Sequence, residues 1–230
     1  TRQITGDFPY YMDETVRAEG KNFQLIQGAQ LAITSDLKLV EKADATRIEN
    51  MQAYGRRLGQ ILLDMESGEA VPAMLNIAHR QYQIKIDNPL QLLMFRLKFI
   101  ESTAIKNDFW GLDLDLKTEV GYMEIGDKLA VAIVPGEMEP ALLYGGGLTR
   151  ENAYSGEDWN YTPMKTTVGE RETLVFGLAN DQSGYILPPN DINNFVLFGN
   201  EEINIASSES APKLLENFSA LVENTKKSAK

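Results

Sequence analysis

Helix and strand signals alternate along this chain. Over residues 48–65 apolar side chains recur every three or four positions, and a Thr-Arg-Ile-Glu capping box at 46–49 opens this predicted helix. Over 82–86 apolar and polar residues alternate, which is typical of a half-buried strand, and 214–222 form a closing amphipathic helix. The alternation predicts an α/β fold with a mixed β-sheet flanked by helices, in a single domain.

Two predicted strands lead into loops that carry chemistry. The apolar run before Val134-Pro135-Gly136-Glu137 forms a hairpin with 120–125, and a second run, 173–176, precedes Asn-Asp-Gln-Ser-Gly-Tyr at 180–185. Ligands gather beyond the carboxyl ends of such strands, so Glu137 and Tyr185 are predicted to lie side by side at one sheet edge. Taken singly, the alternatives are a surface glutamate in a turn and a packing tyrosine.

Three segments of the chain resemble one protein family. V-P-G-E at 134–137 and G-L-A-N-D-Q-S-G-Y-I at 177–186 look like the second half of the catalytic domain of the neutral, non-lysosomal ceramidases. I-T-G-D-F-P-Y-Y at 4–11, followed by F-Q-L-I-Q-G-A at 23–29, is similar to an earlier stretch of that family. The resemblance implies a secreted or periplasmic zinc-dependent amidase that hydrolyses a ceramide-like lipid amide.

The resemblance also assigns roles to individual residues. In that family two histidines, a glutamate and a tyrosine hold the zinc, which makes Glu137 and Tyr185 the expected metal ligands here. Considered alone, Tyr185 equally suits hydrogen bonding to an oxyanion. Thr5 stands where the family has a serine near the metal, and its added methyl favours substrate contact over nucleophilic attack. Asp7, the nearest acid, is expected to be an exposed carboxylate or a helix cap.

The histidine ligands of the family are missing from this chain. The only histidine is His79, whereas both family histidines lie upstream of the segment that corresponds to Thr5. Without a second histidine, His79 is expected to be a satisfied or solvated side chain rather than a ligand. The upstream half is then a separate chain or a removed segment, and this chain supplies the later half of the site. The remaining possibility is that the metal has been lost.

A predicted helix over 89–100 carries more apolar surface than one core-facing stripe requires. Burial on more than one face is the simpler explanation. The more specific explanation is that this helix forms one wall of an apolar groove for a lipid chain, with Phe95, Phe99 and Trp110 as substrate-binding residues. The irregular stretch 151–171 is expected to cover the site like a lid. The glycine triplet at 145–147 lacks the lysine and spacing of a phosphate loop and is interpreted as a hinge or loop.

Charge and composition remove other classes of function. The 230 residues contain 22 Lys and Arg against 33 Asp and Glu, a net charge of -11 that disfavours a nucleic-acid partner. With no cysteine, thiolate metal sites and disulfides are excluded. No serine lies in a G-x-S-x-G elbow. Two alternatives to the lipid amidase stay open, namely a non-catalytic binding module of the same fold and a zinc hydrolase with a soluble substrate.

Overall fold

The computed structural model of the protein describes residues 7–29, 46–65, 68, 70–100, 104–106, 113–193 and 204–228. Two predicted site residues, Thr5 and Trp110, lie outside these ranges. The chain divides into a smaller unit, 1–26 with 33–70, and a larger unit, 27–32 with 71–230. The prediction of a single domain rests on length and composition, which carry no information about how the helices divide between compact units.

The smaller unit pairs helix α1 (Asp7–Ala18) with helix α2 (Arg47–Asp64). The predicted capping box is confirmed: the Thr46 hydroxyl accepts from the Glu49 N–H at 3.2 Å, and the Glu49 carboxylate accepts from the Thr46 N–H at 2.8 Å. Gly55 lets the helices approach closely, since an added Cβ there would clash with the carbonyl oxygen of Phe8.

The larger unit contains the sheets and the remaining helices. Its elements are β1 (Leu75–Lys85), α3 (Pro89–Arg96), β2 (Ala104–Lys106), β3 (Leu114–Ile125), β4 (Leu129–Ile133), β5 (Glu137–Met138), α4 (Ala141–Tyr144), α5 (Met164–Val168), β6 (Glu172–Phe176), β7 (Tyr185–Ile186) and α6 (Ser210–Ser228). Among the described residues, no helix is both long and apolar enough to cross a membrane.

The main sheet has the strand order β1-β3-β4-β6, and β2 also pairs with β3. The β3 and β4 strands form the predicted antiparallel hairpin, whose turn contains Gly126 at φ +59°. The β6 strand joins the far side of β4 in parallel, which makes the sheet mixed. The prediction of a mixed sheet flanked by helices is confirmed. The parallel β4–β6 pair sends the chain that follows both strands toward the same end of the sheet.

The core lies between one face of this sheet and the helix α6. Alternate residues of β3 are buried, as are Tyr82 and Ile84 near the end of β1. Tyr122 packs edge-to-face on Phe218 of α6, with ring centroids 5.8 Å apart. The predicted amphipathic spacing of the closing helix is confirmed, because Leu214, Phe218 and Val222 are all buried on this side. Packing against α6 holds the sheet in place, and the site loops follow two of its strands, β4 and β6.

Helix α3 is shorter than the sequence suggested. Asn88 caps it by accepting the Leu90 N–H at 3.0 Å, but the helix ends at Arg96 rather than Ile100. Two residues later Lys98 has φ +58°, a left-handed conformation that does not continue a right-handed helix. The apolar residues beyond Arg96 therefore leave the helical repeat.

The expectation that α3 is buried on more than one face is wrong. None of its side chains is fully buried, and among the described residues of α3 it is Leu92 and Phe95 that pack against the apolar residues of β1 and β3. Leu93 is 49% exposed, Leu97 57% and Phe99 73%. Apolar composition predicts this helix, but the contact with β1 and β3 decides which of its faces is covered.

A polar cluster centred on the buried Glu124 connects β1 and β3 with the residue just before β6. The Tyr122 hydroxyl donates to Glu124 at 2.9 Å, and Arg171 lies 3.3 Å from the same carboxylate oxygen. The Asn76 amide donates to the other oxygen at 3.3 Å. Burial, and then the hydrogen bond to Glu124, raise the pKa of Tyr122 above its usual range. The cluster thus keeps a neutral phenol and one ion pair inside the fold.

Removing the shared acceptor of this cluster should destabilise the protein strongly. We expect Glu124→Ala to lower the free energy of unfolding by about 3 kcal/mol, because a buried hydroxyl and a guanidinium lose their partner together. Urea unfolding measures the change. Glu170→Ala is the matched control, since this glutamate is exposed and its loss should change stability by less than about 0.5 kcal/mol. Equal stability of the two variants would contradict a structural role for the cluster.

Candidate functional site

Glu137 and Tyr185 face each other across a short parallel pair. Glu137 of β5 is the register partner of Tyr185 of β7, and Met138 is the partner of Ile186. Met138 and Ile186 are buried in the core, and side chains alternate along a strand. Glu137 and Tyr185 therefore share the opposite side of the pair, where both are half-buried. The structure brings the two predicted site residues together.

Direct hydrogen bonds fasten the two site loops to each other. The backbone N–H and the hydroxyl of Ser183 both donate to the carbonyl oxygen of Pro135, at 2.6 and 2.7 Å. The Ala179 N–H donates to the Val134 oxygen at 3.1 Å. Ser183 is buried, so its hydroxyl has its acceptor where water has little access. The parallel β4–β6 pair is thus extended through the loops that follow it.

The loop that carries Tyr185 has an unusual backbone. Leu178 and Asn180 have φ angles of +51° and +68°, although neither is glycine, and Gly184 has φ +90°. Such conformations cost free energy and cluster where a site needs a fixed shape. At the closest approach of the loops, an added Cβ on Gly136 would clash with the Gly184 carbonyl oxygen. Glycine at position 136 therefore permits the contact that sets Glu137 beside Tyr185.

A cleft of about 370 Å³ opens in front of this pair. One part of its lining is apolar and consists of Phe95, Ile100, Leu116, Leu178 and Ala206. The other part is polar and consists of Gln91, Glu137, Gln182, Ser183, Gly184, Tyr185 and Asn204. A cleft with these two linings fits a ligand that has both an apolar chain and a polar group.

The predicted substrate-binding residues separate in space. Phe95 lines the cleft, whereas Phe99 is strongly exposed and is not among the cleft's lining residues. The loop 151–171 is described throughout, and it contributes no residue to this cleft. It borders a second cleft instead, so a lid position over Glu137 is not seen. The stretch was predicted to be irregular throughout, but it contains α5 (Met164–Val168), and its composition gave no information about its direction.

Sequence reasoning missed three polar residues of the cleft. Gln182 lies within the Asn-Asp-Gln-Ser-Gly-Tyr loop, so its closeness to Tyr185 in the chain was a usable signal. Gln91 lies on α3, and Asn204 lies just before α6, far from the site loops in sequence. No local pattern marks these two, because only the packing of α3 and the 204–206 segment brings them to the cleft.

Asp7 and His79 take the structural roles expected of them. Asp7 is the first residue of α1, and its exposed carboxylate accepts the N–H of the next residue, Phe8, at 3.0 Å. His79 Nδ1 lies 3.0 Å from a carboxylate oxygen of Glu119, and its side chain is mostly exposed. Both residues therefore have local partners that account for their positions.

The donor set fits part of a metal site. Carboxylate and phenol oxygens from neighbouring strands face one cleft, whereas a catalytic zinc ordinarily has three protein ligands and one open position. Within the described parts of the chain, no three His, Cys, Asp or Glu residues lie close enough to hold a metal. Glu137 and Tyr185 therefore suit two of the positions around such an ion, and any others need donors from elsewhere.

Comparisons with known proteins show a likeness in fold. No family model and no curated protein matches this sequence. The fold is similar to that of part of the neutral ceramidase from Pseudomonas aeruginosa. The superposition has a TM-score of 0.62, covers 99% of this chain at 11% identity, and spans 42% of that enzyme's chain. The fold is ceramidase-like, and at this identity the likeness concerns the fold alone.

The close approach of the site loops should depend on glycine at position 136. We expect Gly136→Ala to lower the free energy of unfolding by about 1–3 kcal/mol, because the new methyl group forces β5 away from the Gly184 carbonyl. Thermal or urea unfolding measures this loss, and the NMR signals of Tyr185 report the displaced strand.

Gly68→Ala is the matched control for this substitution. An added Cβ at Gly68 has no neighbour within 4 Å among the described residues, and stability should change by less than about 0.5 kcal/mol. If Gly136→Ala behaved like Gly68→Ala, with unchanged Tyr185 signals, the loops would not be held by this contact.

Proposed function

We propose that this chain supplies the later half of the active site of a zinc-dependent amidase that hydrolyses a ceramide-like lipid amide. The main support is the parallel β5–β7 pair, which places Glu137 opposite Tyr185. Both residues line a cleft that has an apolar part and a polar part. The ceramidase-like fold supports the same proposal. The roles of the individual residues follow from their places in this cleft.

Glu137 and Tyr185 are the residues that would hold the metal. The Glu137 carboxylate is an oxygen donor well suited to zinc, and Tyr185 adds a phenol oxygen from the neighbouring strand. When bound, zinc polarises a carbonyl oxygen or lowers the pKa of a bound water to about 7. The chain's own contribution is to fix both donors on one rigid pair, which reduces the reorganisation that binding requires.

The remaining metal ligands would come from another part of the protein. Histidine is a common zinc ligand, but the single histidine of this chain is engaged with Glu119. We therefore assign the missing ligands to an upstream half, carried by a separate chain or by a segment removed from this one. Thr5 is assigned to substrate contact in the assembled site.

The two linings of the cleft suit the two parts of a lipid amide. Phe95, Leu116 and Leu178 offer apolar surface to a hydrocarbon chain, which gains about 0.8 kcal/mol for each buried methylene group. Gln182 and Asn204 offer amide groups that can donate to and accept from the polar end. A substrate bound in this way lies with its amide near Glu137 and its chain against α3.

A non-catalytic binding module is the second candidate function. It is favoured by one observation, namely that the described residues bring together only two metal donors in the cleft. Such a module would use the same apolar lining to hold a lipid, but further metal ligands from elsewhere in the protein would not make it hydrolyse that lipid. Zinc binding by a longer form of the protein therefore separates the two candidates.

Zinc affinity should require more than this chain. We expect the 230-residue chain alone to bind zinc weakly, and a form that includes the sequence upstream of Thr1 to retain one zinc per molecule. Equilibrium dialysis with elemental analysis measures both. In the longer form, Glu137→Gln and Tyr185→Phe should each weaken zinc binding at least about tenfold, which corresponds to about 1.4 kcal/mol.

Glu170→Gln serves as the control for the zinc measurement, because Glu170 is exposed and does not line the cleft. Tight stoichiometric zinc on the 230-residue chain would show that other ligands are used. A longer form that binds no zinc, yet still binds a lipid amide, would favour the non-catalytic module.

Chain-length preference should depend on Phe95. In the longer, active form we expect Phe95→Ala to lower kcat/KM for long-chain amides about tenfold more than for short-chain amides, because only long chains reach the lost aromatic surface. Phe99→Ala is the matched control, since this phenylalanine is 73% exposed and lies outside the lining. A loss in Phe95→Ala that is equal for all chain lengths would contradict the groove and show that Phe95 serves in core packing.

A further inference from the structure

A second cleft, of about 350 Å³, lies beside the glycine triplet at 145–147. Trp159, Asn160 and Tyr161 form its opposite side. Both sides belong to the larger unit, and no residue of this cleft also lines the cleft in front of Glu137. The proposed amidase function makes no use of it. We call it the glycine-triplet cleft.

Buried hydrogen bonds hold the walls of the glycine-triplet cleft in place. Asn190 is only 4% exposed, and its amide donates to the Leu148 oxygen at 2.8 Å and to the Glu157 oxygen at 3.3 Å. One side chain thereby ties both loops of the cleft together. The Tyr161 hydroxyl donates to the Ala141 oxygen at 2.7 Å and fixes the aromatic side. The cleft is therefore formed before any ligand arrives.

The aromatic side of the cleft is a stacked pair. The rings of Trp159 and Tyr161 lie with centroids 4.6 Å apart and an interplanar angle of 20°. Burial is the largest cause of the raised pKa of Tyr161, so this phenol stays neutral and remains a hydrogen-bond donor. Because Tyr161 is fixed through its hydroxyl, Trp159 is held as a rigid apolar surface at the cleft.

The glycine side presents backbone rather than side chains. Gly145 and Gly146 have φ angles of +88° and +84°, a left-handed conformation that favours glycine. Crowding does not explain Gly146, since an added Cβ would meet no described atom within 4 Å. Gly146 is exposed, whereas Gly145 is half-buried and its N–H donates to the Ala141 oxygen at 2.7 Å. Gly147 lies against the Tyr161 hydroxyl, so the backbone that a ligand can reach is the part around Gly146.

The charges around the cleft select the class of ligand. Its lining contains no lysine or arginine, and its ionisable groups are the carboxyl of Asp158 and the phenol of Tyr161. In a chain with a net charge of -11, such a cleft repels phosphate and other anions. What it offers is a flat apolar ring, the amide of Asn160, the carboxyl of Asp158 and the exposed backbone around Gly146. A ligand that matches these has an apolar face edged with neutral hydroxyl groups.

From this arrangement we propose that the glycine-triplet cleft binds a neutral saccharide. One face of a sugar ring packs against Trp159, where its C–H groups meet the aromatic surface. Its hydroxyl groups exchange hydrogen bonds with the Asn160 amide and with the exposed backbone around Gly146. The site is independent of Glu137 and Tyr185, so the substitutions that remove the zinc donors should leave saccharide binding unchanged.

Tryptophan fluorescence tests this proposal directly. The chain has two tryptophans, so Trp110→Phe leaves Trp159 as the only one. Maltotriose, cellotriose and N,N′,N″-triacetylchitotriose are titrated into this variant, with inorganic phosphate as the anionic comparison. We expect a saturable change in fluorescence with at least one saccharide, at a dissociation constant of about 0.1–1 mM, and none with phosphate.

Two variants and a control locate the binding, with calorimetry as the readout. Trp159→Ala should weaken binding of that saccharide at least about tenfold. If Trp159→Ala does not fold, Asn160→Leu replaces it, because Asn160 is exposed and its substitution spares the aromatic stack. Tyr154→Ala is the matched control, since Tyr154 is a 63% exposed aromatic residue of the same loop outside the lining.

The proposal is overturned by any of three results. These are the absence of saturable binding for all three saccharides, saturable binding of phosphate at this cleft, and an equal loss of affinity in the Tyr154→Ala control. A loss confined to the cleft variants, with binding unaffected by Glu137→Gln, supports a saccharide site separate from the proposed amidase centre.

Discussion

The candidate site depends on the contact between two loops that follow neighbouring parallel strands. Because β4 and β6 run in the same direction, their following segments leave the sheet at one end. Ser183 then donates twice to one carbonyl oxygen, and a glycine at 136 permits the close approach. Without that contact the β5–β7 pair would have no fixed register, and a carboxylate and a phenol on it would not be neighbours. A two-residue pair is too short to be stable alone.

The rest of the larger unit gives this contact a rigid base. One face of the main sheet is covered by α6, and the buried Glu124 cluster connects β1, β3 and the start of β6. Strain in the Tyr185 loop, including left-handed Leu178 and Asn180, is compatible with a stable fold because such a base holds it. The packing of the core thus offsets the free-energy cost of holding the Tyr185 loop in its strained conformation.

Two clefts with different chemistry lie on the larger unit. The first joins an apolar lining to the two oxygen donors that we propose for the metal, and the second joins an aromatic pair to the exposed backbone around Gly146, where we propose that a sugar ring binds. They share no residues: α3, β5 and the loop after β6 line the first, and the segments after α4 and before α5 line the second. A ceramidase-like fold can therefore carry a second recognition surface without altering the geometry at Glu137.

The sequence by itself determined the local features of this protein. The capping box at Thr46, the hairpin around Gly126 and the closing helix all rest on residues close in sequence, whose propensities and spacing decide the outcome. The two site loops were also visible, since each follows an apolar strand run. Tertiary structure decided the rest: the single covered face of α3, the direction of the loop 151–171, the division into two units and the arrival of Gln91 and Asn204 at the cleft. Each of these depends on which distant surfaces meet, and a one-dimensional pattern carries no information about that choice.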